Sequence, residues 1–447
     1  MAHVFAITDG TTTITLNQTN GCMVTGFDMN VAEVVFNEVN RTEVNEIERL
    51  NVTSTLDLVF TASTIAGIQT LVRNLEILLD KSLLRQNKKN FKRVYLLVTV
   101  DGDVAWRSEI LYFKLTPKIN LFDGLTAKKT EYTLFITRKF YFEGPEKELE
   151  LSNSLTSATT GGIEIWNHSD GGEDNYVAIA AAQVGGTLPT PVKLTLTNIN
   201  GSSIGYRNLY LSTNAFSDPT NFTHIIEGES RESGYGTVTS SGTSSNGNYN
   251  LYGFTGTGEI VFALSDTLLE QTQGRWFRLL TRFVSWSGTN VFVTPEIRDA
   301  TGLVTLWTGT EKLLGTSSTN IQDLGSVPLP SGPSNTVYSD MTLVLKVRAT
   351  GSGQVNIDFI QLTSLDSYQY VIQRGLNIPN DGVITFDGIE GIIHSNGQTI
   401  YSNRVGPLYV FPGKNQRIYI LYDTSSGSAI AHTAEIQAYI RERRLTI

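Results

Sequence analysis

The single cysteine, Cys22, and five histidines are the residues that could carry nucleophilic or metal chemistry. Cys22 follows the Asn20-Gly21 turn, with His3 nearby in sequence. One Cys and one His make no spacing pattern, so a structural thiol is expected. Gly201-Ser202-Ser203-Ile204-Gly205 fits Gly-x-Ser-x-Gly by letter, but it leads into the strand-like run Asn208–Leu211 and not a helix, so no serine-hydrolase elbow is expected. His3, His168, His224, His394 and His432 are dispersed, without a His-x-x-x-His or Cys pair, so no zinc site is expected. Asp170-Gly171-Gly172-Glu173-Asp174-Asn175 offers oxygens for Ca²⁺ but lacks EF-hand spacing, and reads as a polar loop. Gly253-Phe254-Thr255-Gly256-Thr257-Gly258 superficially resembles a phosphate loop, but no Lys-Ser/Thr ending follows. Glycoside hydrolysis needs two positioned carboxylates. Glu227, Glu229 and Glu232 cluster, as do Glu296 and Asp299, yet solvent-facing acids of a sheet give the same pattern. The expectation is a protein that is not an enzyme, with no catalytic residue, metal or cofactor.

Binding is the more open chemistry. Tyr235, Tyr249 and Tyr252 lie among Ser, Gly and Asn in the stretch 228–258. Tyr gives contact area at low entropic cost, and small polar residues give adaptable hydrogen bonds. These three are the candidate glycan contacts; the alternative is a surface loop whose tyrosines pack locally. The stretch itself has no apolar periodicity and is expected to be a loop that is mobile, exposed, or ordered only by a partner. Trp276, Trp286 and Trp307 fall in strand-like runs and are expected in the core. Arg73, Lys81, Arg85, Lys88, Lys89, Lys92 and Arg93 read as the solvated face and end of a helix. They and Arg441-Glu442-Arg443-Arg444 could also meet an acidic neighbour in an assembly.

The elements that position these residues are mostly strands. Charged residues are 17% of the 447, and 40 glycines stand with abundant Ser, Thr and Asn, which suits turns and wet sheet faces. A net charge of −9 counts against a general nucleic-acid binder. No apolar run approaches the ~20 residues of a membrane helix. No signal peptide is seen at Met1-Ala2-His3-Val4-Phe5-Ala6, and a soluble chain made in a cytoplasm is expected. One helix is predicted: Thr64 or Ser63 can cap it, and Ile65, Ile68, Leu71, Val72, Leu75, Leu78 and Leu79 fall three and four apart. Residues 94–100 form a strand closed by the Asp101-Gly102 turn, with 106–115 as its partner.

The predicted organisation has three parts: 1–148, a β-barrel or sheet with the helix; 149–367, an inserted β-sandwich of jelly-roll type; and 368–447, strands completing the N-terminal unit. The last part, a few strands, would be a marginal domain alone. Whether 149–367 is one domain or two stays open.

Two regions then carry a resemblance. One is the helix 65–84 with Val94-Tyr95-Leu96-Leu97-Val98 and Trp106-Arg107-Ser108-Glu109-Ile110-Leu111. The other runs from Ile384-Thr385-Phe386-Asp387-Gly388 to Val405-Gly406-Pro407-Leu408-Tyr409-Val410-Phe411-Pro412-Gly413-Lys414-Asn415-Gln416-Arg417-Ile418-Tyr419-Ile420. They cover about a fifth of the chain. Together they resemble bacteriophage tail structural proteins of the distal tail (baseplate hub) type with an inserted carbohydrate-module-like sandwich. The resemblance implies a virion protein with a tail-tube-like barrel, made in host cytoplasm. It implies a ring, commonly of six copies, contacting tube, tape measure and hub, and displaying the sandwich outward. No catalytic residue comes with that role. The unusually long sandwich departs from the pattern and leaves open a tube protein with a decoration domain. The alternative function is a glycan-binding receptor-recognition adhesin, and a polysaccharide hydrolase is a third.

Overall fold

The computed structural model describes residues 3–30, 34–40, 43–86, 92–118, 129–170, 173–215, 223–264, 268, 274–299, 301–315, 321–330, 341–365, 368–389, 392–396, 398–399, 407–424 and 434–446. The chain divides into two units, one of residues 1–146, 186–188 and 441–447, the other of 147–185 and 189–440.

In the first unit seven antiparallel strands follow the order Thr13–Leu16, His3–Thr8, Val94–Val100, Trp106–Pro117, Lys129–Arg138, Val52–Thr61 and Cys22–Asp28. Alternation puts Phe5, Ile7, Leu56, Leu58, Phe60, Leu134 and Ile136 on one face, where they share a core. The helix Ile65–Asp80 starts where the side chain of Thr64 accepts a hydrogen bond from the Gly67 N–H at 3.0 Å. Ile68, Val72, Leu75, Leu78 and Leu79 bury its stripe on the same core. At roughly 1.5–3 kcal/mol per buried side chain, this face and not intrinsic propensity fixes the helix. Ile65, predicted within the stripe, is instead 56% exposed, and the helix passes at Asp80 into a 3₁₀ turn, Lys81–Gln86. The strands at the two ends of the order, Thr13–Leu16 and Cys22–Asp28, are joined by the 3₁₀ turn Gln18–Asn20, but no ladder pairs them. At the turn's exit Gly21 O accepts from the Thr61 N–H at 2.8 Å, which ties the start of Cys22–Asp28 to its neighbour Val52–Thr61. The hairpin Val34–Asn40 and Glu43–Arg49 forms a separate two-stranded sheet.

The expectation that 368–447 completes the N-terminal unit is corrected. Only 441–447 belongs there, and 368–440 folds with the second unit. The reason is strand pairing. One sheet of that unit pairs residues 434–440 and Val383–Asp387 with Thr190–Asn198; the facing sheet runs Tyr176–Ile179, Gln416–Thr424, Ile204–Ala215, Tyr368–Ile378. Their inward faces, including Leu194, Leu209, Ile384, Ile420 and Ile436, make one sandwich core. The stretch 149–367 is accordingly two bodies. Its beginning builds this sandwich, and residues 223–364 form a second one inserted between Ile204–Ala215 and Tyr368–Ile378.

The inserted body is built on three long strands, Asn248–Ala263, Trp276–Arg298 and Thr342–Ser364. Each bends where its register slips, at Thr255–Thr257, Ser287–Phe292 and Arg348–Ser352. Gly256, Gly288 and Gly351, all at positive φ, sit at those bends, where a side chain would be strained. A bent strand can serve two sheets around one core.

Candidate functional site

The stretch 228–258 is not the expected loop. It holds the strand Thr237–Ser240, paired with the start of Asn248–Ala263. Asn246 and Gly247, both at positive φ, make the tight connection that brings these strands back together. The apolar signal was weak because the hairpin buries small and polar residues: Ser244, Ser245 and Asn250 are at most 2% exposed. The three tyrosines do not form one platform. Tyr249 and Tyr252 are an odd number of residues apart on one strand and so face opposite ways. Tyr235 and Tyr252 pack against the inserted core.

Tyr252 does border a cleft of about 500 Å³, whose lining includes Thr257, Glu259, Thr294, Lys346 and Arg348. Register explains the floor: Glu259, Lys346 and Thr294 lie side by side across three strands. The Tyr252 hydroxyl accepts from the Glu259 N–H at 3.2 Å. Charges here compensate each other. Glu311 receives two bonds from Arg348, at 2.8 and 2.9 Å, and Lys346 meets Glu296 at 2.8 Å. Arg298 joins Glu259 at 2.8 Å to Glu296 at 3.0 Å. Burial raises the Glu296 carboxyl, but Lys346 and Arg298 outweigh it and hold it below its ordinary value. An acid so held stays ionised, which suits hydrogen bonding to hydroxyls and not proton donation.

A second polar cluster is buried beneath the hairpin. Arg282 and Asp358 are paired at 1% and 0% exposure. Arg282 also donates to Thr243 O at 3.0 Å, and Ser245 N–H donates to Asp358 at 2.7 Å. Glu227 accepts from the Ser245 hydroxyl at 3.1 Å, while its other oxygen is buried without a hydrogen bond. Burial, with Glu229 and Asp358 nearby, pushes Glu227 up to about 7. His168, buried and beside Arg282, is pushed down to about 4. Glu227 thus has the affinity of a general acid, but it does not line the cleft. Glu296 belongs to the cleft's ion pairs, so the two carboxylates considered for hydrolysis fall in different environments.

The other candidates disperse. Cys22 is buried, and burial pushes its thiol up to about 12, the opposite of an activated nucleophile. Among the described residues no group of three or more His, Cys, Asp or Glu could hold a metal. Gly171 and Gly172 of the Asp170–Asn175 segment lie outside the described residues, as do Lys88 and Lys89 of the basic set. Lys81 and Lys92 converge on buried Asp9 at 2.7 and 3.8 Å, so they are partly structural. Arg443 binds Glu143 at 2.8 Å, and Arg444 lies over Trp106 at 4.2 Å. Trp286 and Trp307 pack on the inserted core, whereas Trp276 is 51% exposed, against expectation.

The fold is of the mainly β class, with one α-helix among the described residues. No protein-family model matches the chain, and no curated protein matches it. Among solved structures it is similar to the SPP1 Dit (gp 19.1) protein, described as a paradigm of the hub adsorption apparatus in phages infecting Gram-positive hosts. That match has 9% identity, 99% of each chain covered and a TM-score of 0.34. A chain of the phage P2 baseplate in its activated conformation with Ca has 10% identity over 78% of this chain and 99% of its own, at TM-score 0.29. The insecticidal delta-endotoxin Cry8Ea1 of Bacillus thuringiensis has 11% identity over 81% of this chain and 42% of its own, at TM-score 0.21.

Proposed function

We propose that the chain is a virion structural protein, a ring component of a phage tail of the distal tail (baseplate hub) or tube type, without enzymatic activity. The observation that carries this reading is the hairpin Val34–Asn40/Glu43–Arg49, which pairs with no other strand among the described residues. An isolated two-stranded ribbon is marginal in water, and its edges are satisfied when neighbouring copies or partners add to them. A closed ring supplies such a neighbour to every copy. Six copies, with tube, tape-measure and hub proteins as partners, is the arrangement the sequence resemblance implies. Light scattering with negative-stain imaging of the full chain tests it. Rings of about six are expected; particles that stay monomeric alone and with tail partners would overturn it.

The cleft beside Tyr252 favours a second reading, a glycan-binding role for the inserted sandwich. Its ionised side chains and one aromatic edge suit a hydroxylated ligand. A glycan array on the full chain tests this, with Tyr252→Ala as control. Binding lost in the variant is expected; no binding by folded wild type would remove the reading.

A further inference from the structure

Arg138 ends the strand Lys129–Arg138 and is 1% exposed. Its Nε donates to Ser54 Oγ, one Nη to Lys139 O and the other to Asn30 O, each at 3.0 Å. All three acceptors are neutral. Among the described residues no carboxylate hydrogen-bonds or ion-pairs with it. The Phe142 ring lies 4.3 Å below the guanidinium and compensates the charge only in part. Burial alone lowers its affinity for the proton, to about 10, so the group is still charged at neutral pH. Buried charges are ordinarily paired, and this one borders a cavity of about 170 Å³.

We propose that this cavity is a binding site for a carboxylate on a short aliphatic stem, received by Arg138. A guanidinium has five N–H donors; three are used, leaving one on each Nη for the two oxygens of a planar carboxylate. The walls decide against more highly charged anions. Phe27, Met29, Val98, Phe142 and Leu445 make most of the wall, with His3 and Thr446 its other polar members, so one planar carboxylate is matched while a phosphate's further oxygens meet few partners. The volume is below the ~300 Å³ usual for drug-sized ligands, so only a few carbons fit. Phe27 and Thr446 at the lining are exposed, so the stem can enter from solvent. Two sources share this chemistry: a free short-chain acid, and a glutamate side chain offered by another protein.

The test is a titration of the full chain with propionate, propionamide and N-acetylglutamate N-methylamide, read by thermal shift and calorimetry. Propionate is expected to raise Tm saturably, and the uncharged propionamide to leave it unchanged. Arg138→Lys keeps the charge but loses the planar fork, and should bind propionate about tenfold more weakly. Arg138→Met should not bind it. If the capped glutamate binds as well, the source is a protein side chain; if only propionate binds, it is a free acid. Equal shifts by propionate and propionamide, or none with folded wild type, would overturn the proposal and leave Arg138 as a clamp on the Asn30 and Lys139 carbonyls. The wild-type comparison decides even if a variant misfolds. Propionate binding unchanged in Arg138→Met would also overturn it.

Discussion

Arg282 and Asp358 sit on neighbouring strands of the inserted sandwich as a fully buried ion pair, tied by Thr243 and Ser245 to the hairpin above. Removing one partner strands a charge where water cannot reach it, which costs about 3–5 kcal/mol. Arg282→Met and Asp358→Asn should each destabilise by that order. The double change to Met and Leu should recover most of the loss, since apolar replacement of both partners is often neutral. Denaturant unfolding of the four proteins closes the cycle. Equal losses in single and double variants would show that the hydrogen bonds to Thr243 and Ser245, and not the charges, matter.

Glu227 gives a pH dependence whose sign is set by its upward shift. The folded value is about 7 against an ordinary 4.5, so the folded state holds the proton more tightly. Its contribution is therefore fully present below about 4.5 and is lost as pH rises through 7. The loss is at most on the order of 3 kcal/mol. Wild type should weaken between pH 5 and 8 relative to Glu227→Gln, in unfolding midpoints measured across that range (about one unit beyond the shift on the alkaline side). Parallel profiles would mean that Glu227 is hydrated. His168 works in the opposite sense, contributing above its ordinary 6.5 and losing that as pH falls through 4.

Gly228 lies where the 3₁₀ turn Gly228–Ser230 meets the strand Thr342–Ser364. A Cβ there would come within 2.1 Å of Ile357 O and 2.7 Å of Asp358 O. Neither backbone oxygen can yield without breaking the ladder. Gly228→Ala should cost more than about 2 kcal/mol. It should also bring Glu227 back toward its ordinary value, because lifting the turn admits water. An NMR titration of the Glu227 carboxyl reads the second effect directly.

Thr64→Ala removes the helix cap and leaves the Gly67 N–H to water. The expected loss is ~1 kcal/mol. Thr64→Ser should keep nearly all of the stability. A thermal melt distinguishes them, and equal losses in both would place the effect in packing.

Some of this was legible in the residues. The helix announced itself through its 3–4 spacing, and the 94–100/106–115 hairpin through its Asp-Gly turn. Nested order was not legible, because alternation says which face of a strand is buried but not which distant strand pairs with it. Val383–Asp387 alternates as well for one sheet as for another, so its pattern does not say which unit it joins. Arg138 and Arg282 escaped notice for a related reason. Arg138 shares the parity of Leu134 and Ile136 in Tyr-Thr-Leu-Phe-Ile-Thr-Arg, which marks an inward position; Arg282, in Phe-Arg-Leu-Leu-Thr-Arg-Phe, has the parity opposite to Phe277 and Leu279, so only for Arg138 does parity point inward. That parity was the available signal. The tyrosines were grouped by sequence proximity, and the same parity separates Tyr249 from Tyr252.

The insertion has a consequence for vectorial synthesis. Ile204–Ala215 emerges from the ribosome long before its hydrogen-bonded neighbours Tyr368–Ile378 and Gln416–Thr424 exist. At about 5–20 residues per second, the interval is on the order of ten seconds. The inserted body has all its strands by Ser364 and can fold first, while the half-built host sandwich waits with both ladder edges open. The later-emerging strands then pair with the waiting Ile204–Ala215, after the guest has already folded. A slow codon run or a chaperone acting in that window would govern the yield of native protein without altering its final stability.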